Sequence, residues 1–205
     1  MTLAITALCK DSAYVRTDRR STTKTVSGTS SYQDSLNKIL KSSDGRMLVY
    51  NHGINRIHGK DWRDLAQLII NSVAGSPIAN IGSAMAKAEK LVGKDASAEL
   101  ATNTIHDMTA FVIIARTRPD RIEAGELVWK KGEGCSRITH AGLIRSGDGI
   151  KYLSIPPNMD TISHWAGLSF ADAKAEVDAL FKDALARQLA VKGEDFSGTY
   201  DEATL

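Results

Sequence analysis

Apolar and polar positions alternate along the chain in two distinct rhythms. Residues 3–8 and 13–17 are short, apolar and β-favouring, and Lys10-Asp11-Ser12 between them reads as a tight turn, so the pair predicts two strands. Residues 46–50 predict a third strand ending at Asn51-His52-Gly53. In 61–73, Leu65, Leu68, Ile69 and Ile70 recur at helical spacing. Residues 77–91 and 96–108 read as two further helices, broken at Gly93-Lys94. The run 110–115 is apolar throughout and predicts a buried strand; 126–130, 140–144 and 150–155 predict three more. The last two pair as a hairpin across Ser146-Gly147-Asp148-Gly149. Residues 169–189 return to the helical period, with Phe170, Ala173, Val177, Leu180 and Phe181 on one face and Asp172, Glu176 and Asp183 opposite. The Ser/Thr/Gly-rich stretch 21–35 reads as an extended loop. Strands, helices, strands, then a helix is the order of an α+β protein, with helices covering stacked antiparallel sheets. With no repeat, low-complexity segment or linker, residues 1–205 read as one domain.

Composition narrows the function classes. Hydrophobic residues make up 42% and charged residues 24%, an ordinary globular balance. Lys+Arg 26 against Asp+Glu 24 leaves +2, no basis for nucleic-acid binding. Cys9 and Cys135 form no CxxC pair, and a reducing cytoplasm fits. No charged-then-apolar leader precedes Thr2, and no apolar run approaches the ~20 residues of a membrane helix. His52, His58, His106, His140 and His164 lack HxxxH or HExxH spacing, so no metal or other cofactor is expected. Trp62, Trp129 and Trp165 read as core or interface anchors.

The candidate chemistry begins at Thr2. Removal of Met1 would leave a hydroxyl and a free amine on one residue, and an α-amine titrates at about 7.7–8.0, close to cellular pH. Such an amine can take the hydroxyl proton, which makes the threonine a nucleophile for acyl transfer. Downstream, Thr17-Asp18-Arg19-Arg20-Ser21-Thr22, then Lys38 in Asn37-Lys38-Ile39-Leu40, then Gly53, follow at set distances. In that order and spacing the chain resembles the proteasome β-type subunits and the HslV-like peptidases, an N-terminal-nucleophile family of threonine peptidases.

The resemblance implies a four-layer αββα sandwich, two antiparallel sheets between helix layers, in a single proteasome-like domain with an insertion near 119–138. It implies Thr2, Asp18 and Lys38 as catalytic residues and Gly53 as the oxyanion donor. Arg20, Thr22 and Tyr50 fall at substrate-binding positions, Tyr50 as a pocket wall. Glu194-Asp195-Phe196-Ser197-Gly198 is similar to the family's acid-then-Ser-Gly turn, so Glu194 or Asp195 and Ser197 are supporting residues. Aligned with the family's catalytic-site Ser before Gly167, this chain has Ala166. The implied function is a self-compartmentalising threonine endopeptidase in the cytoplasm, cutting peptides or unfolded proteins inside a homo-oligomeric ring or double ring, with an unfoldase partner. The alternative is a catalytically inactive proteasome-fold ring protein serving as scaffold or binding module.

Overall fold

A computed structural model of the chain describes residues 2–24, 30–193 and 195–205. In chain order its elements are β1 (Ala4–Leu8), β2 (Ala13–Asp18), β3 (Ser21–Lys24), β4 (Ser30–Gln33), β5 (Ile39–Lys41), β6 (Met47–His52), β7 (Arg56–Ile57), β8 (Lys60–Asp61), α1 (Trp62–Val73), α2 (Ile81–Thr102), β9 (Met108–Arg118), β10 (Arg121–Lys130), β11 (Gly134–His140), β12 (Leu143–Ser146), a 3-10 helix (Asp148–Tyr152), α3 (Ile162–Gly167), α4 (Phe170–Ala190) and β13 (Tyr200–Thr204). They group into two units, Met1–Lys38 with Ala141–Thr204, and Ile39–His140 with Leu205.

The first unit is built on an antiparallel sheet of order β12-β1-β2-β13. β1 is buried along its whole length, as its apolar run requires. Leu3, Ile5, Ala7 and Tyr14 pack with Ala173, Val177, Leu180 and Phe181 of α4, the helix face read from the sequence. Each large side chain buried there contributes about 1.5–3 kcal/mol. α4 starts where Ser169 caps it, accepting from Asp172 N at 3.2 Å. Within the stretch 21–35 read as an extended loop, Ser21–Lys24 and Ser30–Gln33 instead form the antiparallel ladder β3–β4, and residues 25–29 of that reading lie outside the described residues.

The second unit carries a five-stranded antiparallel sheet of order β11-β10-β9-β6-β5. Asp61 and Asn80 cap α1 and α2 through their side-chain oxygens, and both helices lie on one face of the sheet. That face presents Met47, Val49, Phe111, Ile113, Leu127 and Trp129 to Leu65, Ile69, Ile81, Met85 and Val92. The two-residue period of the strands turns Leu48, Tyr50, His52, Val112, Ile114 and Glu126 to the other face.

Two sequence readings change here. α2 is continuous through Gly93, because a glycine costs a long, well-packed helix only about 1 kcal/mol. Residues 150–155 are not a strand: the chain turns into the 3-10 helix after Gly147, and β12 pairs with β1 instead. The 119–138 stretch supplies β10, with a register shift at its start, and most of β11. Among the described residues no helix is long and apolar enough to cross a membrane.

Candidate active site

The site grows from the antiparallel register of β1 and β2, which sets Ala4 opposite Thr17. Continuing that ladder, Asp18 N donates to Leu3 O at 3.0 Å and Leu3 N donates to Asp18 Oδ1 at 2.8 Å. The carboxylate at the end of β2 is thereby fixed beside the start of β1. Its second oxygen accepts from Arg20 N at 2.9 Å. Lys38 enters just ahead of β5, with its backbone N–H held by Asp201 Oδ2 of β13 at 2.8 Å. Its ammonium donates to Thr2 Oγ1 at 2.9 Å and to Asp18 Oδ1 at 3.1 Å.

All three side chains are buried: Thr2 is 4%, Asp18 0% and Lys38 1% exposed. Burial pushes the Lys38 ammonium below its ordinary value, against the charge of Asp18 that holds it up. Burial likewise pushes the Asp18 carboxyl up, against the pull of Lys38 and the backbone N–H donors. Lys38 therefore releases a proton more readily than a surface lysine does. A lysine in hydrogen-bond reach of a threonine hydroxyl, aimed by a carboxylate, can stabilise the alkoxide or receive its proton.

The remaining candidates are spread more widely. Arg20 forms a two-point ion pair with Asp34, at 2.7 and 2.8 Å, and lies 4.8 Å over the Tyr32 ring. Thr22 stands on β3 opposite Tyr32. Gly53 has φ +93°, and a Cβ there would lie 2.7 Å from Met108 O, so this backbone demands glycine. Tyr50, expected as a pocket wall, is 0% exposed and sits in β6 opposite Val112. Glu194 lies outside the described residues. Asp195 accepts from Tyr152 Oη at 2.7 Å and pairs with Lys151 Nζ at 2.6 Å. Ser197 is buried and donates to Thr199 O at 3.0 Å. The hydrogen bonds of Asp195 and Ser197 thus run to neighbours other than Thr2.

The Ser-Gly pair at the Thr2 end of the sheet is Ser146-Gly147, not Ala166-Gly167. Ala166 is exposed on α3. Ser146 is 2% exposed and stands opposite Ala4 in the β12–β1 ladder. Gly147 packs directly on Thr2: at φ +89°, a Cβ would fall 2.1 Å from Thr2 O. Gly149 N then donates to that same oxygen at 3.0 Å. The signal was in the sequence, but Ser-Gly-Asp-Gly reads equally well as a hairpin turn.

No family model and no curated protein matches the chain by sequence. Solved structures do match its fold. The Gly-1 mutant of Anbu from Hyphomicrobium sp. strain MC1 is 13% identical, with 98% of this chain and 80% of that one covered at a TM-score of 0.66. HslV from Trypanosoma brucei is 14% identical, covering 99% and 98% at 0.57. The Anbu complex from Pseudomonas aeruginosa, solved as a helical assembly, is 10% identical, covering 99% and 80% at 0.63. Identities this low speak for the fold alone. The chain has the α+β, proteasome-like N-terminal-nucleophile fold that HslV and Anbu share.

Proposed function

We propose that this protein is an N-terminal threonine peptidase that works as one proteasome-like domain within a homo-oligomeric ring, and that its substrates are peptides or unfolded chains. The observation that carries the reading is the buried Lys38 ammonium, 2.9 Å from Thr2 Oγ1 and 3.1 Å from Asp18 Oδ1. Three side chains drawn from separate segments converge there, and the fold likeness to HslV and Anbu supports the same reading.

The chemistry starts once Met1 is removed. Thr2 Oγ1 bonds to the peptide carbonyl carbon, and its proton passes to the Thr2 amine. Lys38 lowers the cost of the alkoxide, and Asp18 aims Lys38. The Gly53 N–H stabilises the tetrahedral oxyanion, a contribution of about 2.7–4 kcal/mol for one such donor. The C–N bond then breaks, and the departing amine takes the proton from the Thr2 ammonium. Water, deprotonated by the same amine, attacks the ester and releases the acid. Ser146, buried and opposite Ala4 near the start of β1, is the hydroxyl we assign to holding that amine. Arg20 and Thr22 offer backbone groups to an extended substrate, and Ser197 with Glu194 or Asp195 are the supporting residues of the reading. A ring chamber keeps so unselective a nucleophile away from folded proteins. An unfoldase would feed it, and the cytoplasm is its place.

The alternative is an inactive proteasome-fold ring protein, a scaffold or binding module. It draws support from the burial of Thr2, only 4% exposed, and from that of Tyr50. The two separate in one experiment. The protein is expressed behind a cleavable leader so that Thr2 is the first residue, its intact mass is measured, and hydrolysis of an unfolded-protein substrate is followed. Peptidase activity lost in Thr2→Ala and cut at least 100-fold in Lys38→Ala, a fall of the size expected when an activating charge goes, supports the peptidase; about 100-fold is 2.7 kcal/mol. No hydrolysis from an intact ring with Thr2 free leaves the scaffold.

A further inference from the structure

A His–Glu–His row crosses the face of the five-stranded sheet that α1 and α2 leave free. His52 Nε2 lies 2.6 Å from Glu126 Oε1, and His140 Nε2 lies 2.9 Å from Glu126 Oε2. The register explains the meeting. Glu126 is opposite Val112, which is opposite Tyr50, two residues before His52; on its other side Ala124, two before Glu126, is opposite His140. His140 is one diagonal step from the carboxylate on the adjacent strand, whereas His52 lies two strands away and the two long side chains meet across β9. Burial works to raise the Glu126 carboxyl, but hydrogen bonds from His140 and His52 hold it at about 2. An ionised carboxylate only accepts, so both histidines donate from Nε2. His52 Nδ1 is buried and has no partner among the described residues. Glu126 is therefore the hydrogen-bond tether of that ring.

Apolar side chains would pack this face at lower cost than three ionisable ones, because buried charged groups lose hydration that pairing only partly restores. The arrangement has a local target. His52 is followed by Gly53, whose backbone is confined to φ +93° against Met108 O. On the preceding side, Asn51 Nδ2 donates to Ala110 O at 2.9 Å and to Thr109 Oγ1 at 3.2 Å. The 51–53 turn is thus pinned to β9 by Asn51 and Gly53, and to β10 and β11 through His52. We propose that Glu126, with His52 and His140, braces this turn, and so acts as a positioning residue for the Gly53 N–H. This rests on the reading of Gly53 as oxyanion donor. A donor helps only if its direction is fixed before charge develops, and a misplacement of about 1 Å costs on the order of 100-fold.

The test uses the processed full chain and reads two things. Hydrogen–deuterium exchange is followed in peptides spanning 51–57, and steady-state kinetics are measured on a peptide substrate. In Glu126→Leu, exchange across 51–57 rises while the rest of the sheet keeps its protection. There kcat falls about 10- to 100-fold, with KM within about 2-fold of the wild type, since an oxyanion contact is made only in the transition state. Glu126→Gln, which can still accept from one imidazole, recovers part of kcat. If Glu126→Leu does not fold, His140→Gln replaces it, because His140 is partly exposed at the edge of the row. Unchanged exchange at 51–57 in folded variants overturns the brace. Raised exchange with kcat unchanged, or a loss confined to KM, overturns its role at Gly53. Should the processed wild type hydrolyse nothing, the peptidase reading fails and the oxyanion role with it, while exchange still decides whether the brace exists.

Discussion

Lys38 and Asp18 are worth most as a pair. Each is buried, so each alone would be an unpaired charge in a dry site. Asp18→Leu or Lys38→Met alone is expected to cost about 3–5 kcal/mol of stability, and the double variant to cost less than the sum of the two. Urea unfolding of all four proteins measures this; strict additivity would mean that the two charges do not interact. Glu126 gives a pH signature of its own. Its folded value near 2 lies below the ordinary 4.5, so it contributes stability that is present above about 4.5 and lost as pH falls through 2. Glu126→Gln does not titrate. The stability gap between wild type and Glu126→Gln should therefore narrow by roughly 3 kcal/mol between about pH 5 and pH 2, and urea melts across that range read it. A gap that widens on acidification would show the carboxylate is not held ionised. At this scale order and spacing singled out Thr2, Asp18 and Lys38, and the structure brings their side chains together. Order and spacing did not reveal the Glu126 row: His52 and Glu126 are 74 residues apart and meet only through sheet register. The burial of Tyr50 was hidden for a related reason, since a strand's period tells which residues share a face but not whether that face meets solvent.

Two glycines show how elements were read and misread. Gly93 reads as a helix break, yet it lies inside α2 with open backbone geometry, and a Cβ there would meet the Trp129 indole at an ordinary 3.5 Å. Gly93→Ala should leave stability unchanged or raise it by about 0.5–1 kcal/mol. Gly147 reads as a hairpin turn, yet it ends β12 against Thr2, with a left-handed φ and no room for a Cβ. Gly147→Ala should cost about 2–5 kcal/mol, the sum of backbone strain and overpacking. Thermal melts of the two variants test both expectations together; equal melting temperatures would contradict the placement of Gly147. The amphipathic helices α1 and α4 were legible because their apolar spacing is strong. The pairing partner of β12 was not, because β1 is more than 130 residues away along the chain and local turn chemistry favours the nearer strand.

At the scale of the whole molecule, the order of strands and helices was enough for the α+β class. Residues 126–130 read as a strand, but the first half of β10 and nearly all of β11 were hidden, because exposed, charged residues there break the apolar run. The proposed ring can be probed at α1. Leu65 and Ile69 enter the core, whereas Leu68 remains 46% exposed. If α1 lies at a subunit boundary of the proposed ring, Leu68→Glu should lower the oligomeric mass seen by light scattering while leaving protomer folding intact by circular dichroism. An unchanged mass would remove Leu68 from any interface. The account turns on Thr2 as a nucleophile activated by its own amine and by Lys38. Its most direct test is covalent. The protein with Thr2 as its first residue is treated with a peptide epoxyketone, a reagent that needs both a threonine hydroxyl and a free amine on one residue. The adduct is then located by peptide mass spectrometry. The account predicts one adduct on Thr2, absent in Thr2→Ala and much slower to form in Lys38→Ala; no adduct on a verified free Thr2 would contradict it.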